Sequence, residues 1–284
     1  MTTAPSSSLF NWSSGRLAGI FIVGFAVTVA GPFIPLFIYS VSFRWNWPDI
    51  LPSEWWWEKR DSLRVPISWD YVLSPYSRLL EASLNTVLIG IGVSFIAFCI
   101  CFPAARVFAR EQFVGKPTLE FLFSLPFLIP EIAFALSLLL IFIDIGLAGS
   151  LPGVILAHLI PATPYMMRML RSIEESVDTK FEEQARTLGA NKFRVFFKVS
   201  LPLLLPGIIT GCLFTFLVSS NIFLMTFLIG QGTIDTLPTI LFARFGGGGI
   251  DPVIAGLTLM ASMPGIVLFF FADRIIKDNF LSFN

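Results

Sequence analysis

The chain has 284 residues, 55% of them hydrophobic and only 13% charged, and its mean hydropathy is +0.79; an ordinary soluble domain carries about 25% charged residues. That balance excludes a soluble globular domain and points to a membrane protein. Nineteen basic and nineteen acidic side chains cancel to a formal net charge of +0, so no global positive field exists to recruit nucleic acid.

A hydrocarbon core about 30 Å thick needs about 20 apolar residues of helix at about 1.5 Å per residue. In chain order, a tail over 1–16 precedes a charge-free run from Leu17 to Phe43. "TVA" near Ala30 imitates a cleavage site, but the run continues apolar to Phe43, too long for a signal-peptide core. A loop over 44–81 follows, rich in tryptophan ("RWNWPDILPSEWWWEKR"); it reads as an amphipathic loop, with an interfacial, re-entrant or partner-touching segment as the alternative. Further apolar runs cover Ala82 to Ala105, Phe121 to Ile143 interrupted only by Glu131, Ile145 to Met167 with His158 inside, Val199 to Ile234, and Pro252 to Ala272, before a tail over 277–284. Irregular backbone cannot face lipid. The expectation is therefore an all-α polytopic fold of six membrane helices, kinked at internal prolines.

Six spans place both termini on one side. Thirteen of the nineteen lysines and arginines fall on the N-terminal side of that topology, which predicts cytoplasmic termini. Cys99, Cys101 and Cys212 sit inside apolar runs without metal-ligand spacing and read as small buried hydrophobes. "GGGG" at Gly246 to Gly249 has no following lysine and serine or threonine, so it reads as an outer turn rather than a phosphate cradle.

The fourth expected loop, about 172–203, is the longest one on the cytoplasmic side. Val177, Phe181, Ala185 and Leu188 recur at helical spacing. Gly189 then stands where a left-handed C-terminal cap needs a residue without a β-carbon, and Asn191 is placed to cap a second helix. Phe193, Phe196, Phe197 and Leu201 give that helix its own apolar stripe, and Pro202 and Pro206 break regularity on re-entry to the membrane. Two short helices joined at a glycine turn thus carry more apolar surface than the loop can bury, which predicts a protein partner. A resting place on lipid headgroups is the alternative, but five basic residues are matched there by five acidic ones, unlike the strongly basic face that anionic lipid selects.

Polar groups at membrane depth are functional candidates by default. Glu131, behind Pro130, and the cluster Ser219, Ser220 and Asn221 are candidates for a translocation pathway. Asp144 reads as interfacial, and His158, a lone histidine, as a packed and hydrogen-bonded structural residue.

The segment "EEQARTLGANKFRVFFKVSLPLLLP" resembles the signature of permease subunits of binding-protein-dependent ABC importers: E-A-A, three residues, G, nine residues, I, one residue, L-P. Glu183, Gln184, Ala185, Gly189, Val199, Leu201 and Pro202 occupy those places, with Gln184 for alanine and Val199 for isoleucine as mild departures. The resemblance extends over about Ser83 to Ile276 and looks nearest to the polyamine-type branch. It implies the type I importer permease fold with a core over 82–276. It also implies a bacterial inner-membrane location and an ATPase-coupling segment made by Glu183, Gln184, Ala185, Gly189, Ala190, Phe193, Leu201 and Pro202. The expected partners are a dimer of cytoplasmic ATP-binding subunits, a second permease subunit (identical or homologous), an extracytoplasmic solute-binding protein and membrane lipid. ATP and Mg would reside on the ATPase partner, no cofactor on this chain, which is then not itself an enzyme. The substrate would be a small polar solute. Polyamine-type relatives often carry acidic residues near the place of Asn221 and Ile222; this chain has none, which leaves amino-acid derivatives and chelated iron open. An ion-gradient-driven secondary transporter, with Glu131 carrying a proton, is the alternative, but no internal repeat supports it.

Overall fold

The computed structural model describes residues 15–46, 48–59, 66–246 and 251–281. All of the N-terminal tail but Gly15 and Arg16, Trp47, Arg60 and Arg64 of the outer loop, Gly247 to Gly249 of the glycine run, and the last three residues lie outside the described residues.

The first apolar run forms α1 (Gly15–Ala30) and α2 (Phe33–Ser40). A two-stranded antiparallel ribbon, β1 (Ser42–Arg44) with β2 (Glu54–Trp55), follows; it is the one departure from helix among the described elements. Short helices α3 (Trp56–Lys59) and α4 (Ser68–Val72) lead into α5 (Leu79–Arg110), α6 (Lys116–Ser124), α7 (Glu131–Asp144) and α8 (Leu151–Ser176). Next come α9 (Lys180–Thr187), α10 (Lys192–Val195), α11 (Leu201–Asn221), α12 (Leu224–Gly230), α13 (Leu237–Phe245) and α14 (Pro252–Leu281).

Among the described residues, four helical stretches are long and apolar enough to cross a membrane: Gly19–Ser40, Leu79–Arg110, Lys192–Asn221 and Pro252–Phe270. Lys116–Phe127 and Glu131–Asp144 make a fifth if they count as one span, bent by 93°. Two prolines explain that bend: Pro126 and Pro130 flank the break, and neither has an N–H to continue the helix. Of the six expected spans, the fourth falls to α8. Its second half carries Arg168, Arg171, Glu174 and Glu175, and it packs between α5 and α11 at the centre of the bundle. The fifth expected run, Val199 to Ile234, is not one rod. It stops at Asn221, where Ile222 is extended (ψ 114°), and resumes as α12, which packs on α7 and α8.

Lipid tails are as apolar as leucine, so helices in a bilayer associate through close packing rather than through expulsion of water. Most of the residues of α5 that face its neighbours are accordingly small: Ala82, Thr86, Gly90, Ser94, Ala97, Cys101 and Ala105 are buried along one face, with the larger Ile89, Val93 and Phe108 between and beyond them. Glycines set the closest approaches. A β-carbon at Gly90 would meet the Phe216 ring at 2.6 Å, and one at Gly207 would meet the Ile173 side chain at 2.4 Å. These contacts bind α5, α8 and α11 into one unit, whose continuations leave the bundle together on the α9 side.

Candidate functional site

The polar hairpin between α8 and α11 is built from local rules. Asp178 Oδ1 accepts from the Lys180 N–H (2.9 Å) at the start of α9, filling one of the donors left open at a helix start. The helix ends at Gly189 with φ +83°, where the Gly189 N–H donates to Arg186 (2.9 Å) and the Ala190 N–H to Ala185 (3.0 Å). A β-carbon at Gly189 would touch nothing within 4 Å, so the need for glycine there is purely conformational. Asn191 caps α10, its Oδ1 accepting from the Arg194 N–H at 2.8 Å.

The second arm differs from the sequence expectation. It is not a separate short helix, because α10 runs through a wide turn at Phe196–Ser200 straight into α11. Pro202 lies in the first turn of α11 and Pro206 inside it. The wider, i→i+5 turn lies just before Pro202, whose missing N–H and bulk disturb the regular ladder there.

Leu188 is 88% exposed, Phe193 77% and Phe197 59%; with Phe181 they give the hairpin an open apolar surface. Glu183, Gln184 and Pro202 are exposed, while Ala185 and Ala190 are half-buried. Leu201 and Val177 turn the other way and pack on the bundle core with Leu170 and Leu204.

Sequence reasoning missed the charged cluster that holds the hairpin. Glu182, not Glu183, is the buried carboxylate of the pair, at 8% exposure. Nη2 of Arg106, on α5, donates to both of its oxygens (2.7 and 2.8 Å), and Ser200 Oγ donates to Oε1 at 2.7 Å. Burial pushes the Glu182 carboxyl up, but the Ser200 hydroxyl and the Arg106 guanidinium together hold it below the usual carboxylate range. Beside it, Arg110 donates to Glu174 Oε2 at 3.2 Å. Glu174 is 1% exposed, with Arg106 Nη1 3.8 Å from its other oxygen. The only sequence signal for this cluster is the pair of arginines one turn apart at the end of the charge-free run from Ala82 to Ala105.

The pathway candidates separate in space and burial. Glu131 is exposed at the first turn of α7, immediately after the 93° break. Ser219 is buried and bonded to His158 Nδ1 (3.0 Å), while Nε2 of the same ring meets Thr226 Oγ1 at 2.8 Å. His158 thus joins α8, α11 and α12 as a hydrogen-bonded structural residue. The Ser220 hydroxyl is buried without a partner. Asn221 is exposed and donates to the Leu217 carbonyl (2.7 Å).

Residues 97–278 match the family model described as "Binding-protein-dependent transport system inner membrane component". The chain is 33% identical over 203 residues to the molybdenum transport system permease protein ModB of Escherichia coli, covering 64% of this chain and 89% of that protein. It is 34% identical over 135 residues to the molybdate/tungstate transport system permease protein WtpB of Pyrococcus abyssi, of which it spans about half (54%), with 48% of this chain covered. To the putrescine transport system permease protein PotI of Escherichia coli it is 34% identical over 175 residues, covering 58% of this chain and 62% of that one. The fold matches a chain of the crystal structure of a bacterial ABC transporter involved in import of the acidic polysaccharide alginate, with TM-score 0.66, 17% identity, and 95% and 99% of the two chains covered.

Proposed function

The chain belongs to the family of inner membrane components of binding-protein-dependent transport systems, and from that premise we propose that its hairpin is the segment through which ATP hydrolysis drives import. The chain is a multi-pass permease of the ABC importer class, a transport subunit without an ATPase site of its own. In this reading α9 and α10 dock on a cytoplasmic ATP-binding subunit, which holds ATP and Mg. A second permease subunit supplies the other half of the pathway, and an extracytoplasmic solute-binding protein delivers the solute.

The observation that carries this is the open apolar surface of Leu188, Phe193 and Phe197 on a hairpin with a fixed turn. Large exposed apolar side chains grouped on one surface mark an interaction site. The docking end faces the cytoplasm, in line with its share of lysine and arginine, so both termini lie on that side.

The solute is small and charged. Permeases similar to this one are named for an oxyanion or for a dication, and the exposed Glu131 carboxylate at the α6–α7 break is the group we assign to the pathway. Its charge favours a cation of the polyamine kind. The test is uptake of radiolabelled putrescine and molybdate into proteoliposomes holding the chain with its ATPase partner and binding protein. ATP-dependent putrescine uptake that falls in Glu131→Gln supports the full reading. ATP-dependent molybdate uptake indifferent to Glu131→Gln removes the cation assignment and leaves the importer. Uptake driven by an ion gradient without the ATPase removes the importer mechanism.

A further inference from the structure

The hairpin has two covalent roots, one in α8 and one in α11, and neither runs into α5. α9 packs mainly on its own return arm, Lys192–Ser200. What joins it to α5 is the Arg106–Glu182 contact, made across 76 residues of sequence. We propose that Arg106 and Glu182 are positioning residues that make the hairpin and the adjoining end of α5 move as one body, so that a displacement at α9 reaches the bundle through α5 as well as through α11. This rests on the hairpin being the ATPase-docking segment.

The geometry supports a joint rather than an incidental surface pair. Surface ion pairs hold side chains weakly because water screens them and long side chains lose entropy in pairing. Here the carboxylate is buried and takes three short hydrogen bonds from two directions, two from Arg106 Nη2 and one from Ser200. Charge-assisted bonds in a low-dielectric setting are the strong and directional kind. Arg106 is itself flanked: Glu174 lies 3.8 Å from its Nη1, and Arg110 is tied to the same Glu174. The guanidinium is thus held between a carboxylate of α8 and one of α9. Because Ser200 stands at the root of α11, one carboxylate connects α5, α9 and the approach to α11. Small residues along α5 then pack it directly against α8 and α11, so movement at its Arg106 end is not lost in a loose interface.

The experiment is amide exchange on the complete complex of the chain with its ATPase partner in lipid nanodiscs, with and without MgATP. In the wild type, MgATP is expected to change exchange over both 180–195 and 104–110. In Glu182→Gln, which keeps side-chain shape, and in Arg106→Lys, which keeps charge, the hairpin should still respond while the 104–110 response falls by about tenfold, the size of an ordinary coupling between sites. On a background with Cys99, Cys101 and Cys212 replaced, Arg106→Cys with Glu182→Cys should lose the response at 104–110 and regain it when a short bismaleimide bridges the pair. An undiminished response in both single variants, or a bridged pair that stays uncoupled, overturns the joint. If MgATP leaves the wild-type hairpin itself unchanged, the docking reading falls instead. The joint is then read without nucleotide: Glu182→Gln should raise basal exchange over 180–195 about tenfold, and an unchanged rate overturns it.

Discussion

Replacing Gly189 isolates backbone strain from every other effect, since an added side chain there meets open space. The residue sits at φ +83°, where a β-carbon crowds the backbone. The left-handed region costs an ordinary residue roughly 1–2 kcal/mol, asparagine pays less because it tolerates that region, and a β-branched residue pays most. Strain of that size shifts the equilibrium between the observed turn and an opened one by a factor of about 5–30. In Gly189→Asn, Gly189→Ala and Gly189→Val the angle between the hairpin arms should therefore be lost progressively, while membrane insertion stays intact because no span is touched. Reconstituted complexes should show ATP-dependent uptake falling in the order Asn, Ala, Val, with ATP hydrolysis falling far less. Equal uptake in all three variants would refute the claim that this turn sets the docking geometry.

Three further outcomes follow from the packing and the charges. Gly207→Ala forces a β-carbon to within 2.4 Å of the Ile173 Cβ, which should cost about 1–3 kcal/mol by overpacking; in a detergent melting assay Ile173→Ala on top, which removes the Cγ atoms but keeps that Cβ, should fall short of restoring the wild-type melting temperature, and full recovery would contradict the close approach. His158→Phe removes the ring partner of both hydroxyls: Ser219 loses its bond to Nδ1, at about 1–3 kcal/mol for an unpaired buried group, while Thr226 keeps only its 3.3 Å bond to the Ile222 carbonyl. The triple variant with Ser219→Ala and Thr226→Val should melt higher than His158→Phe alone, and a lower value would contradict the role of His158 as the hydrogen-bonded link between α8, α11 and α12. The Glu182 carboxyl is held below its ordinary value of 4.5, so its contribution is complete above that value and is lost as pH falls through the lower folded one. Limited proteolysis of the hairpin should stay constant from neutral pH down to about that ordinary value, quicken only below it, and show no such acid step in Glu182→Gln.

Much of the hairpin was legible because its rules are local. Gly189 and Asn191 each act on residues within a few positions, and a helix stop followed by a helix start needs nothing from elsewhere. The Arg106–Glu182 joint was not legible, since its partners are 76 residues apart and the sequence offers two adjacent glutamates with no local reason to prefer Glu182. Hydropathy located the apolar material but not its direction. The break after Asn221 has neither proline nor glycine at it, so Val199 to Ile234 reads as continuous, whereas Pro126 and Pro130 announce the bend before α7. In α8 the burial is supplied by other helices, so its own residues need not be apolar throughout, and its charged half hides a central helix. The structural role of His158 is legible because one histidine without companions has little else to do, whereas its partners on α11 and α12 are set by the fold.

The unbroken rod from Lys192 to Asn221 spans 30 residues, or about 45 Å. Tilting it by ~10° about its midpoint carries each tip roughly 4 Å sideways by simple trigonometry on that length. A nudge at the water-facing tip is thus returned, in the opposite sense and at equal size, near the far tip beside Asn221. Shifts of that order can open or shut a gap for a small solute while every helix keeps its own hydrogen bonds.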